Sequence, residues 1–277
     1  MIIQSIHRAQ QLLSLFSHSR PSLGITELSR LMGLSKGTVQ GIVRTLAEGG
    51  FLQQDRETRK YRLGYKLYEL GAVLSETLEI NQKAAGPVHR LAERTELICR
   101  VAIWDRDAAL VTLNIAPKYA DSLAQQIGPR VVAYCSAIGR ALLAYLEPSE
   151  LEIYLDQTEL VPFTPQTITN RGQLLRELEQ TRVRAYAVNN QEMAPGRVSI
   201  AATVFQGGGG LAASISLTGS PDRVLGTESE GLANDLWTTA AEVSRYMGYS
   251  HEAPEESRVF QTRSLNHKVS EIGHENS

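Results

Sequence analysis

Residues able to touch another molecule gather near the start of this 277-residue chain. Ser35, Lys36, Gly37, Thr38, Gln40, Gly41 and Arg44 lie within ten positions, and a second basic group follows at Arg56, Arg59 and Lys60. A helix with Val39, Ile42, Val43 and Leu46 turned inward carries the first group on its outer face. Glutamine matches the N6/N7 edge of adenine, and arginine matches guanine or a phosphate. The hydroxyls of Ser35 and Thr38, beside the free N–H groups of a helix start, suit a phosphate oxygen. Small glycines permit close approach to a duplex, and no acid interrupts the face before Glu48. A helical hairpin with a basic face and no such role has the same local pattern, so the surrounding elements decide.

Those elements read as helix, helix, glycine turn, helix, hairpin, the order of a winged helix-turn-helix. Ile6, Ala9, Leu13 and Phe16 mark the expected buried face of a first helix. Leu28, Leu31 and Met32 mark a second, for which Thr26 is the expected N-cap, and Thr26 joins the expected DNA-contacting set. Gly33 suits the left-handed residue that ends it, and Ser35 caps the third helix. Phe51–Gln54 and Lys60–Leu63 flank a polar turn as a short hairpin, whose Arg56, Arg59 and Lys60 would follow a phosphate backbone. Residues 1–63 hold nine basic against four acidic residues, a net +5; the whole chain carries −2, leaving −7 for the rest. A basic head on an acidic body fits a nucleic-acid-binding domain joined to one that does not bind it.

Helical spacing returns from Tyr65 to about Leu78, and a further helical piece carries Pro87, at a position typical of a helix start, with Val88 and Leu91. Beyond Leu97 come strand-like runs at 97–104, 108–115, 198–205 and 211–217, and helical runs at 135–146, 172–182 and 233–247. Their irregular mixture predicts an α+β domain. Gly207–Gly210 reads as a flexible hairpin turn, since neither GxxxxGK[ST] nor GxGxxG accompanies it. Residues 250–277 are polar and charge-rich, a composition expected to be disordered.

Catalytic residues are not expected: GxSxG and HExxH are absent, and Cys135 has no partner at sequence level. The two cysteines, Cys99 and Cys135, form no CxxC pair, and the histidines lack ligand spacing, so neither a metal nor a cofactor is expected. This usage fits a reducing, cytoplasmic setting. No apolar stretch approaches membrane-spanning length, and the N-terminus does not read as a signal peptide.

The run 24–39, Arg44-Thr45-Leu46 and Tyr61-Arg62-Leu63-Gly64 resemble the IclR family of bacterial regulators. So do Ala137–Ala144, Tyr186-Ala187, Gln191-Glu192, Gly196 and Ile200–Phe205, in the expected order, with Arg140 at a position usually basic. The resemblance covers roughly residues 3–248. It implies a transcription regulator with a winged helix-turn-helix at 1–63, a helical linker and dimerisation segment at 64–96, and a GAF-like effector-binding domain at 97–249. Its implied partners are double-stranded operator DNA, a small-molecule effector and a second copy of the chain, with tetramers on DNA. It places the effector against Ser136, Ala137, Ile138 and Gly139, the loop Asn189–Ser199 with Arg197, and the strand bearing Ser216 and Thr218. A helix start and nearby hydroxyls suit a carboxylate, although a serine there is equally a cap and strand hydroxyls equally face solvent. Family members that bind small keto acids tend to have Asp and Cys where Asn189 and Ser199 stand here, which separates this chain from their ligand.

Overall fold

The computed structural model describes residues 2–117 and 129–250, which divide into two compact units, Met1–Thr77 and Leu78 onward. The reading of 250–277 as a disordered tail lies, apart from Ser250, outside the described residues.

The first unit builds α1 (Gln4–Leu13), α2 (Ile25–Met32), α3 (Lys36–Glu48), β1 (Leu52–Gln54), β2 (Tyr61–Leu63) and α4 (Tyr65–Thr77). Leu12, Leu28, Val39, Val43 and Leu52 are buried together with Leu23 and Phe16. The inner face of α1 therefore differs from the expected one. Leu12 is fully buried, while Ile6 is 55% exposed, because the helix presents its C-terminal turn rather than its whole length to α2 and α3. The cap of α2 differs too. Gly24 holds the extended N-cap position, and its N–H donates to the Glu27 carboxylate at 2.8 Å; Thr26 is the second residue of the helix and exposed. Gly33 ends α2 at φ 65°, the left-handed geometry where a side chain would be strained. Ser35 caps α3, its Oγ accepting from the Thr38 N–H at 3.2 Å. Leu23 and Tyr61 exchange two backbone hydrogen bonds, at 2.9 and 2.8 Å, so the β1–β2 hairpin is anchored on a third extended segment.

The second unit is one antiparallel sheet with helices on both faces. Its strands are β3 (Ile98–Asp105), β4 (Ala108–Ile115), β5 (Arg130–Val131), β6 (Ala187–Asn190), β7 (Val198–Phe205) and β8 (Leu211–Gly219), in spatial order β5-β4-β3-β8-β7-β6. The helices are α5 (Glu79–Thr95), α6 (Ala137–Leu143), α7 (Pro148–Gln157), α8 (Arg171–Arg184), α9 (Pro221–Val224) and α10 (Ser229–Tyr246). Strand alternation sorts the two faces. On β8, Ala213, Ile215 and Leu217 join a core with Ala84, Val88 and Leu91 of α5 and Leu236, Ala240 and Val243 of α10. The alternate residues are small or polar and meet α6: Ser214 Oγ donates to the Ile138 carbonyl at 2.8 Å, and Thr203 Oγ1 to the Ala141 carbonyl at 2.7 Å.

The segment expected as one linker is divided, α4 belonging to the first unit and α5 to the second. Pro87 does not start a helix; it lies inside α5, whose Ile80, Ala84, Val88 and Leu91 stripe buries against the sheet across the proline. That packing outweighs the missing N–H. The helix expected from Cys135 begins at Ala137, after the Ser136 cap. Gly207–Gly209 forms a short 3₁₀ turn between β7 and β8, closed by a Gln206 N–H to Gly210 carbonyl bond at 2.9 Å. Four elements, α7, α9, β5 and β6, were not legible from periodicity.

The inner face of α1 gives a direct test by urea unfolding. Leu12→Ala is expected to cost about 2–5 kcal/mol, and Ile6→Ala no more than about 0.5 kcal/mol. Comparable losses would restore the face read from the sequence.

Candidate functional site

Two places hold the residues singled out above, one in each unit. In the first, Val39 and Val43 pin the inner side of α3, which leaves Ser35, Lys36, Gly37, Thr38, Gln40, Gly41 and Arg44 all exposed. Side chains added at Gly37 or Gly41 would meet no atom within 4 Å. Each glycine in a helix interior costs roughly 1 kcal/mol relative to alanine, and nothing in the unit requires either. Gly41 keeps low the part of the face between Gln40 and Arg44, and Gly37 the part before Gln40. The Arg44 guanidinium pairs with Glu48 at 2.9 Å, with both side chains largely exposed, a contact of little net worth that a phosphate can displace.

The wing is ordered by Asp55. Its Oδ1 accepts from the N–H groups of Glu57 at 3.1 Å and Thr58 at 2.7 Å and from the Thr58 hydroxyl at 2.8 Å. The Thr58 backbone bond is the chief cause that holds the Asp55 carboxyl below the usual range. Arg59 then adopts a left-handed φ of 58°, and it and Arg56 are exposed. Lys60 differs: its ammonium lies 3.5 Å from Glu27, whose carboxyl is lowered first by the Gly24 N–H and then by Lys60. Of the three wing cations, Lys60 is the one drawn back onto α2.

In the second unit, Ser136, Ala137, Ile138, Asn189, Arg197, Ser199, Ser216 and Thr218 line one cavity of about 50 Å³, together with Arg100, Val131 and Met193. Eight of the nine residues expected around an effector thus meet, although they come from α6, β6, the loop after it, β7 and β8. Gly139 is the exception. A Cβ there would lie 2.3 Å from Ala133 Cα and 2.5 Å from its carbonyl oxygen, so this glycine lets α6 press on the chain before it. Ser216 and Thr218 are buried rather than solvent-facing. Ser136 is first a cap: its Oγ accepts from the Gly139 N–H at 3.2 Å and donates to the Val132 carbonyl at 2.7 Å.

Arg100 went unnoticed in the apolar run Ile98-Cys99-Arg100-Val101, where a lone arginine on the small-residue face was the available signal. It is 5% exposed and donates to Thr218 Oγ1 at 3.4 Å, which in turn shares a hydrogen bond with Ser199 Oγ at 3.0 Å. Burial, and next the nearby Arg197 guanidinium, lower its pKa to about 10. Among the described lining residues there is no carboxylate.

The wall beside this cavity is held by a buried ion pair. Both Arg140 terminal nitrogens donate to the Glu192 carboxylate, one at 2.6 Å; Nη1 also reaches the Val188 carbonyl at 3.0 Å and Nε the Tyr134 carbonyl at 2.7 Å. Thr167 Oγ1 donates to the Glu192 carbonyl at 2.6 Å. Asn189 links the same pieces, its Oδ1 accepting from the Glu192 N–H at 3.1 Å and its Nδ2 donating to the Cys135 carbonyl. Burial pushes the thiols of Cys99 and Cys135 up to about 12, so neither is a nucleophile. Among the described residues no cluster of three metal-ligating side chains occurs, and no helix is long and apolar enough to cross a membrane.

Residues 5–56 match the model of the IclR helix-turn-helix domain, and residues 72–245 that of the bacterial transcriptional regulator IclR C-terminal domain. The HTH-type transcriptional regulator XynR of Escherichia coli K12 is 35% identical over 248 residues, covering 90% of this chain and 98% of its own. The crystal structure of an IclR transcriptional regulator from Alicyclobacillus acidocaldarius superposes with a TM-score of 0.79 at 26% identity, covering 90% of this chain and 100% of its own. An IclR homologue from Microbacterium hydrocarbonoxydans, complexed with 4-hydroxybenzoate, shares the fold at a TM-score of 0.76 and 22% identity, covering 89% and 100%.

Unfolding in urea tests the ion pair. Arg140→Ala, which strands the Glu192 carboxylate, is expected to cost about 3–5 kcal/mol. Replacing both partners by apolar residues, Arg140→Met with Glu192→Leu, is expected to recover most of that loss. A cost below about 1 kcal/mol for the single change would mean that the pair does not hold the wall.

Proposed function

The chain belongs to the IclR family and is a DNA-binding transcription regulator rather than an enzyme; from that premise we propose which residues read DNA and which class of effector controls it. The outer face of α3 enters the major groove, with Gln40 and Arg44 at base edges and Ser35, Lys36 and Thr38 on phosphates. Thr26, at the start of α2, adds a backbone contact. Arg56 and Arg59 follow the flanking phosphates, while Lys60 contributes only on leaving Glu27. The observation that carries this reading is the pair Gly37 and Gly41: two helix-weakening residues on an exposed face, with no neighbour in the protein that demands them. A surface that must fit another molecule closely explains both.

The effector is a small carboxylate held in the cavity between α6 and β8. Arg100 and Arg197 place two guanidiniums against the same space, and burial followed by the Arg197 charge lowers the Arg100 pKa, a penalty that a bound anion relieves. The Ser199 and Thr218 hydroxyls and the N–H groups at the start of α6 supply further donors. At about 50 Å³ the cavity takes only a few non-hydrogen atoms, so a larger acid has to displace Met193 or the 191–197 loop. That an IclR homologue from Microbacterium hydrocarbonoxydans is complexed with 4-hydroxybenzoate, an aromatic acid, supports a carboxylate as the class of effector, and Asn189 and Ser199 argue for a ligand other than the small keto acids.

A second copy of the chain completes the regulator. Helix α4 buries none of its residues and exposes Tyr65, Tyr68, Leu70, Val73 and Leu74, an apolar surface suited to pairing with its counterpart. Two copies then set two reading heads one or more helical turns apart. Effector binding shifts operator affinity through a coupling of about 1–3 kcal/mol.

Fluorescence anisotropy with a duplex selected by the full-length chain from random-sequence DNA separates reading from folding. Gly41→Ala is expected to raise helix stability by up to about 1 kcal/mol and yet weaken operator binding at least tenfold, and Arg44→Ala is expected to weaken it similarly without loss of stability. If Gly41→Ala bound DNA as well as the wild type, the face would not approach a duplex closely. Loss of Arg59 should also flatten the salt dependence of binding by about one unit of log–log slope. For the effector, Arg100→Met is expected to abolish the response of operator binding to carboxylates at unchanged basal affinity; a retained response would place the ligand elsewhere.

A further inference from the structure

A second concave surface in the effector-binding unit has no part in either site. It measures about 640 Å³ and is walled by Tyr145, Phe205, Trp237 and Tyr249 over a floor of Ala240 and Ala241. It sits at the Phe205 end of β7, six residues from Ser199 and so about 20 Å from the effector cavity along the strand. The aromatic walls are packed on each other. The Tyr145 and Phe205 rings meet edge to face at 5.0 Å, and Phe205 lies 5.5 Å from Tyr249. Two of the lining hydroxyls are spent internally: Ser244 Oγ accepts from the Phe205 N–H at 3.0 Å and donates to the Ala240 carbonyl at 2.7 Å, and Thr203 Oγ1 donates to the Ala141 carbonyl at 2.7 Å. The surface therefore offers apolar and aromatic contact and asks for an apolar occupant.

The polypeptide itself leaves from this surface. Gly248, Tyr249 and Ser250 line it, and 27 residues, 251–277, follow. That segment lies beyond the family match, which stops at residue 245. Its one aromatic residue is Phe260, beside Val259 and ten positions after Ser250. Ten residues reach at most about 36 Å, ample for a groove that begins at the point of departure. Before Phe260 come Glu252, Glu255 and Glu256, opposite in charge to the exposed Arg245 on the rim. A tether this short holds its anchor at millimolar effective concentration, so even a weak apolar contact is mostly made.

We propose that this groove is the docking site of the chain's own C-terminal segment, with Val259 and Phe260 as the apolar anchor and Glu252 to Glu256 facing Arg245. Docking covers the aromatic wall of β7 and α10, and it places the extra segment on the strand whose other end forms the effector cavity.

Hydrogen–deuterium exchange tests this on three proteins: the full chain, the chain stopped after Ser250, and the full chain carrying Phe260→Ser. All three keep residues 1–250 unchanged. Amides of 203–207 and 237–249 are expected to exchange at least threefold more slowly in the full chain than in either variant, and a synthetic peptide of residues 251–277 added to the shortened chain should restore the protection. Equal rates in all three proteins would overturn the proposal. So would protection that grows with protein concentration, which would make a second copy the occupant, or a small aromatic molecule retained in native mass spectra of the shortened chain with its groove already protected. None of these outcomes bears on DNA reading or on the carboxylate cavity.

Discussion

A guanidinium taken out of water needs acceptors for its five N–H groups, and the second unit is arranged so that Arg140 finds them on three separate stretches of chain. The Tyr134 carbonyl precedes α6, the Val188 carbonyl lies in β6, and the Glu192 carboxylate begins the loop beyond it. Removing any of these would leave a buried charge short of partners, so the helix, the edge strand and the loop are fixed relative to one another. Asn189 and Thr167 fasten the same loop by its backbone. The cavity proposed for the effector is what remains between these fixed pieces and the small-residue face of the sheet.

That face explains the composition around it. Alternation along β7 and β8 sends Ile200, Ala202, Ile215 and Leu217 to the large apolar core with α5 and α10. It leaves Ser199, Ala201, Ser214, Ser216 and Thr218 for α6. Close approach of α6 requires small residues there, and the space that remains is lined by hydroxyls and two arginines. The first unit follows the same logic at its outer surface. Val39 and Val43 bury one side of α3, and the opposite side carries small and polar residues, the face proposed to fit against DNA.

Much of this was legible in the sequence, and the failures have identifiable causes. The helix-turn-helix was readable because Gly33, Ser35 and the Val39–Val43 stripe are local signals, each fixed by backbone geometry or by one helix face. The cap of α2 was misplaced because a glycine N-cap has no side chain to announce it; its partner Glu27, three residues on, was the available clue. Ile6 was taken as core since periodicity finds an apolar stripe but cannot say how far along a helix its neighbours reach. Pro87 signalled a start because the stripe on both sides of it gains its energy from the sheet, which no local rule contains. Eight of the nine residues that the family resemblance implied around an effector line one cavity, whereas Arg100 and the Arg140–Glu192 pair became visible only when strands distant in sequence were placed side by side.

If α3 reads a specific duplex sequence, selection of binding sites by the full-length chain from a random pool of double-stranded DNA, at physiological salt, should enrich one short pattern. Preference at defined positions within that pattern should be lost when Gln40 or Arg44 is replaced by alanine. Retention of the pool without any enriched pattern, or an enriched pattern unchanged by both substitutions, would contradict that role for α3.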